Sequence, residues 1–167
     1  MVQLGYALTS ELHGAGAMVR QAQQAEAAGF GFALISDHYH PFFTRHAESP
    51  FVWSVLGAIA QATRTLKVGT GVTCPILRYH PALVAQAAAT CETLMPGRFF
   101  LCVGTGANLN EHVFGDRWPS PAERVAMLDE AVAVIRGLWK GTRYSHRGRY
   151  FTVDQAQLYS LPDAPPP

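Results

Sequence analysis

Three short stretches of this chain gather side chains able to move protons or cradle a ligand. They are Ser36-Asp37-His38-Tyr39-His40-Pro41, then Gly71-Val72-Thr73-Cys74-Pro75 with Arg78-Tyr79-His80 close behind, and Gly104-Thr105-Gly106-Ala107-Asn108-Leu109-Asn110-Glu111-His112. His38 is the natural proton acceptor, because an imidazole exchanges its proton near neutral pH and the neighbouring carboxylate of Asp37 could orient or charge it. The same pair equally fits a plainer role, Asp37 capping the loop and His38 packing beneath it. Gly104-Thr105-Gly106 would let backbone N–H groups approach a phosphate. Gly69-Thr70-Gly71 would let a flat ring lie against backbone. Taken alone, each triplet reads first as a turn. Seven histidines invite a metal centre. No His-x-x-x-His or cysteine-rich spacing accompanies them, and Asp37 is the lone acidic partner, so no metal site is expected.

The elements that must position these stretches alternate along the chain. Leu4 to Leu8 is a short apolar run. Ala17 to Ala28 follows at helical spacing, with Met18, Ala22 and Ala25 on one face and Gly29 ending it. Phe32 to Ile35 reads as a buried strand. Ser49-Pro50 is expected to open a helix running to about Ala62, with serine as cap and proline at the first helical position. Leu66 to Val72 is the third strand, Pro81 opens an alanine-rich helix that stops before Pro96-Gly97, and Phe99 to Val103 is the fourth strand. Ser120-Pro121-Ala122-Glu123 is a capping box. The helix after it places Val125, Leu128, Val132, Ile135 and Trp139 along one face. Tyr144 to Val153 reads as a hairpin turning at Arg147-Gly148, and the closing proline-rich segment as a linker or the approach to a strand.

Four βα units with short connections imply a parallel sheet with right-handed crossovers. A doubly wound sheet and a barrel both satisfy that pattern, although no G-x-G-x-x-G follows the first strand. In either architecture function gathers at the carboxyl ends of the strands, where all three polar stretches fall. Thr63-Arg64-Thr65 and Pro96-Gly97-Arg98 are turns at the opposite end.

Composition narrows the classes. The 167 residues hold 13 basic and 12 acidic side chains, a net charge of +1, and 49% hydrophobic residues. That is enough for one core and no more. No basic run exists to neutralise phosphates, so no nucleic-acid surface is expected. No apolar stretch approaches the roughly 20 residues that span a bilayer, and the amino terminus lacks a signal-peptide pattern. Cys74, Cys91 and Cys102 are odd in number and lie in apolar runs, which predicts reduced thiols in a cytoplasmic protein.

The stretches LGYALTSE, ALISDHYHPF, SPFVWSVLGAIAQATRTLKVGTGVTCPILRYHPALVAQAAAT, PGRFFLCVGTGANLNEH and SHRGRYFTVDQAQLYSLPD resemble, in order, the luciferase-like monooxygenase superfamily. Within it the likeness is to the coenzyme F420-dependent group related to F420-dependent glucose-6-phosphate dehydrogenase. The resemblance implies an α/β fold. Residues 1–167 would form a single partial domain, the amino-terminal half of a (β/α)8 barrel with about four βα units and a carboxyl-terminal hairpin; a full barrel takes about 250 residues. It implies hydride transfer between a substrate alcohol carbon and the deazaflavin F420, with flavin mononucleotide (FMN) as the alternative cofactor. His38 would take the hydroxyl proton, with Glu11 near the reacting centre. Asp37 would contact the cofactor ring, a cis peptide at Gly71-Val72 would bulge against its face, and Cys74, Thr105, Gly106 and Asn110 would line it. Two positions depart from the family: Ala107 stands where it carries a proton-donating glutamate, and Phe42 where it carries a tryptophan. The expected partners are a small-molecule substrate and either a second copy of the chain or a second half-barrel. A non-catalytic binding or assembly module is the alternative function.

Overall fold

Side chains alternate across a strand, so each short strand of this chain turns one set of residues to the helices and the other to the opposite face of the sheet. The computed structural model describes residues 2–46 and 48–167. Strands β1 (Gly5–Leu8), β2 (Phe32–Ile35), β3 (Lys67–Thr70) and β4 (Phe99–Phe100) lie parallel in the order β1-β2-β3-β4. Helices α1 (Ala15–Ala27), α2 (Val52–Ala62) and α3 (Pro81–Leu94) connect them. Leu8, Ala33, Ile35, Val68 and Phe99 are buried with Met18, Ala22, Leu56, Ile59 and Met95 in one core between sheet and helices. On the alternate positions, a Cβ at Gly5 would strike the Phe32 ring and one at Gly69 the Phe100 ring. These two rings meet edge to face at 6.4 Å. Glycine beneath an aromatic ring is how this inner face is filled. A strand order that never reverses has no switch point, so the chain follows barrel winding and not the doubly wound sheet that the pattern alone left open.

A second core joins α3 to α5 (Pro121–Leu138) and to the hairpin of β5 (Tyr144–Arg147) and β6 (Thr152–Ala156). Ser120 caps α5 as its sequence predicts, accepting from the Glu123 N–H at 3.3 Å. The buried stripe of α5 is shifted from the expected one: Met127, Ala131, Val134, Ile135, Gly137 and Leu138 are buried, Leu128 and Trp139 of the expected face pack partly buried beside them, and Val125 is 60% exposed. Apolar residues run nearly round this helix, so periodicity does not choose a side; packing against α3 and the hairpin does. Trp139 packs against both cores, its indole N–H donating to the Ala85 carbonyl at 2.9 Å.

Three other boundaries shift for local reasons. Helix α2 starts at Val52 behind Phe51, not at Pro50, because the Ser49 hydroxyl donates to the His38 carbonyl at 2.8 Å instead of capping. Strand β3 ends at Thr70, ahead of a cis peptide at Gly71-Val72, and one bridge resumes at Thr73 opposite Val103. Strand β4 is correspondingly short, since the Thr70 hydroxyl replaces the ladder there, donating to the Cys102 carbonyl at 2.7 Å and accepting its N–H at 3.2 Å. At the end of the chain the Leu101 N–H donates to the Pro167 carbonyl at 3.0 Å. The proline segment therefore approaches β4 as a strand would. Among the described residues no helix is long and apolar enough to cross a membrane.

Candidate functional site

The loops that leave β2, β3 and β4 meet around a buried arginine. The Arg78 side chain, 5% exposed, donates from Nη2 to Asp37 Oδ1 at 2.9 Å and to the Asp37 carbonyl at 3.1 Å. Its Nη1 donates to the Tyr79 hydroxyl at 2.6 Å, and the guanidinium lies 4.2 Å over the Tyr79 ring. Glu111, which ends the short helix α4 (Asn108–Glu111), accepts the Arg78 backbone N–H at 3.0 Å and holds its other oxygen 3.7 Å from Nε. Both carboxylate side chains are 1% exposed. Burial, opposed by Arg78 but reinforced by the nearby Asp37, holds the Glu111 carboxyl above the usual carboxylate range. Burial alone would lower Arg78, but Asp37, Tyr79 and Glu111 together outweigh it and keep the guanidinium charged.

Asp37 does not serve His38. Its carboxylate also accepts from the Thr73 hydroxyl at 2.8 Å and the Tyr79 hydroxyl at 3.2 Å, and no contact to the imidazole accompanies these. Both residues lie past the end of β2, where the loop buries Asp37 and leaves His38 half-buried, so adjacency in sequence does not pair them. His38 stays half-buried, edge to face with Phe42 at 4.8 Å, and its Nδ1 lies 3.3 Å from the His40 carbonyl. A carbonyl only accepts, so in the neutral tautomer that fits this contact Nδ1 carries the hydrogen and Nε2 the lone pair.

Glu11, buried below β1, accepts from the hydroxyls of Ser36 and Ser10, the latter at 3.3 Å. Asn110 is buried too. Its Oδ1 accepts the backbone N–H groups of Tyr39 at 3.0 Å and His40 at 3.2 Å, tying the His38 loop to α4. His40 and His112 stack at 5.3 Å, and His80 caps α3 by accepting from the Ala82 N–H at 3.2 Å. Among the described residues no group of three potential metal ligands stands together.

Beside these supports lies a stretch of bare backbone. Gly71 and Gly106 are exposed and Val72 is 44% exposed, with Thr105 half-buried alongside. A Cβ on Gly104 would come 2.7 Å from Val72 Cγ2. One on Gly106, at φ +72°, would come 2.5 Å from Cys74 Sγ. An uncluttered backbone surface of this kind fits a flat ring system. Cys74 does not reach that surface: its thiol is buried under Gly106, where burial and the neighbouring Glu111 push it up to about 12.

A family model described as luciferase-like monooxygenase matches residues 2–167. The chain belongs to the luciferase-like monooxygenase family. It is 44% identical over 164 residues to the F420-dependent hydroxymycolic acid dehydrogenase of Mycobacterium tuberculosis, covering 98% of this chain and 46% of that protein. It is 40% identical over 167 residues to the F420-dependent glucose-6-phosphate dehydrogenase of Beutenbergia cavernae, covering 100% of this chain and 50% of that protein. A solved F420-dependent secondary alcohol dehydrogenase, in complex with an F420-acetone adduct, superposes with a TM-score of 0.95 at 41% identity, covering 99% of this chain and 50% of that one. The chain spans about half the length of the curated relatives it matches, and its fold is half of a (β/α)8 barrel. Within this luciferase-like half, sequence reasoning placed Arg78 and Glu111 at the right ends of the right strands but gave neither a role. A lone arginine closing the apolar run Pro75-Ile76-Leu77 was the available signal for the first; spacing holds none for the second.

Proposed function

We propose that this chain is the cofactor-facing half of a coenzyme F420-dependent oxidoreductase that moves a hydride between a substrate alcohol carbon and the deazaflavin. The superposition on the F420-dependent secondary alcohol dehydrogenase carries this reading. When bound, the deazaflavin supplies the two-electron acceptor. Gly71, Val72, Thr105 and Gly106 would hold it on their open backbone surface. Asp37, Cys74 and Asn110 would shape that surface from beneath, Asp37 and Asn110 meeting the ring system through the loop backbone they fix. His38 Nε2 accepts the hydroxyl proton as the C–H electron pair departs as hydride, leaving a carbonyl and an imidazolium. Glu11, fixed by two serine hydroxyls, would sit close to the reacting carbon. Glucose 6-phosphate, a hydroxymycolic acid and a secondary alcohol are the substrates that the relatives' names bring into consideration.

As partner this reading takes a second half-barrel or a second copy of the chain, which would pair with the outer edge of β1, uncovered by any strand among the described residues, and pack at the β4 side. A hollow of about 310 Å³ lined by Leu101, Val132, Trp139 and Pro167 lies at the β4 side. Cys74, Cys91 and Cys102 are all free, which supports the cytoplasmic placement. Ala107, a methyl where the family carries an acid, is the observation that favours a non-catalytic module instead.

Titration of the 167-residue chain with oxidised F420 and, separately, FMN tests the cofactor reading by intrinsic fluorescence. Saturable binding selective for F420 is expected; a folded chain that binds neither, or prefers FMN, refutes it. In an assembly that turns over a secondary alcohol, His38→Ala should lower the rate by about a hundredfold or more while F420 affinity stays within about twofold. An unchanged rate removes His38 from the base role.

A further inference from the structure

Arg78 takes no part in the proton and hydride steps proposed above, yet one residue touches all three loops that build the site. Its guanidinium grips Asp37 after β2 through both the carboxylate and the carbonyl. Its own position follows β3. Its backbone N–H donates to Glu111 after β4 at 3.0 Å, and the guanidinium faces the other carboxylate oxygen at 3.7 Å from Nε, a charge contact without a hydrogen bond. Stability alone explains this poorly, because two buried carboxylates around one guanidinium are costly to desolvate and an apolar trio of similar volume is often as stable. What the charged trio adds is direction: a planar fork accepts partners only at set angles. Among the further ties between these loops, the one from Asn110 Oδ1 to the Tyr39 and His40 N–H groups sits one residue from Glu111 and two from Asp37. A slip at Arg78 is therefore readable at the Tyr39 and His40 N–H groups.

We propose that Arg78 is the positioning residue of the site, coupling the loops after β2, β3 and β4 so that His38 and the backbone surface at Gly71, Val72 and Gly106 stand in one fixed arrangement. The coupling rests on the geometry alone. Its consequence for cofactor binding rests on the F420 reading.

The test uses the 167-residue chain carrying Arg78→Met/Glu111→Gln, which removes the cation and one carboxylate together and leaves Asp37 its two hydroxyl donors, and the conservative Arg78→Lys. Amide hydrogen exchange is read at Tyr39 and His40, with Val68, whose N–H donates to the Arg98 carbonyl at 2.8 Å, as the core reference. In the double variant exchange at Tyr39 and His40 should accelerate on the order of tenfold, with Val68 unchanged and Arg78→Lys intermediate. F420 affinity should fall by a similar factor. Unchanged exchange at Tyr39 and His40 overturns the proposal. So does lost protection everywhere, Val68 included, in both variants, which would make Arg78 a residue of fold stability. A wild-type chain that fails to bind F420 sinks the cofactor reading and leaves the exchange data to decide the coupling.

Discussion

Replacing Glu26 with glutamine should weaken the chain by an amount and with a pH dependence that the structure specifies. Glu26 lies in the last turn of α1, and its Oε1 accepts the backbone N–H groups of Arg64 at 2.8 Å, Thr65 at 2.6 Å and Leu66 at 2.8 Å, plus the Thr65 hydroxyl at 3.0 Å. Burial pushes the carboxyl up, but these donors pull harder and bring it from 4.5 to about 2. That depression corresponds to about 3 kcal/mol of linkage at full strength, and the partly exposed setting reduces it to about 1–2 kcal/mol. A folded-state value below the unfolded one contributes stability above pH 4.5 that is lost as pH falls towards 2. Urea denaturation of wild type and Glu26→Gln measures it. At pH 7 the midpoint should drop with the slope unchanged, by about 1–2 kcal/mol in stability. The gap should narrow steadily between pH 4.5 and pH 2. A gap that is absent at pH 7, or equally wide at both ends of that range, would refute the reasoning that a charged carboxylate organises this turn.

Two further outcomes follow from the site. Gly106→Ala forces a Cβ into the left-handed region at φ +72° and into Cys74 Sγ and Glu111 Cγ, at 2.5 and 3.0 Å. It should cost about 1–2 kcal/mol from the backbone alone, lowering the melting temperature by several degrees and weakening F420 binding; a variant that melts and binds like wild type contradicts this. Burial holds the Cys74 and Cys91 thiols up at about 12 against an ordinary 9, so a disulfide reagent at pH 8 should label neither until urea unfolds the chain, and rapid labelling of either in the native state would show the cores to be open.

Some of this was legible in the residues because the deciding interactions are local. Gly29 ends α1 at φ +83°, and Ser120 with Pro121 opens α5. Alternating apolar runs and helical spacings encode four βα units, and their order along the chain places Asp37, Gly71 and Gly106 at the same end of the sheet. The family stretches pointed to the cis peptide at Gly71-Val72, which the structure contains.

Other features depend on who stands opposite, which no local pattern carries. Ser49 looks like a helix cap by type and position, yet a nearby carbonyl from His38 claims its hydroxyl. The buried side of α5 is chosen by α3 and the hairpin, because its own apolar residues leave the choice open. Asp37 and His38 read as a catalytic pair because they are adjacent, but in the loop past β2 the carboxylate is taken by Arg78, Thr73 and Tyr79 instead. Spacing along the chain thus determined which residues reach the carboxyl end of this sheet. Tertiary structure alone decided that Asp37 answers to Arg78, 41 residues away, and not to its neighbour, because a buried carboxylate takes the cation that packing delivers.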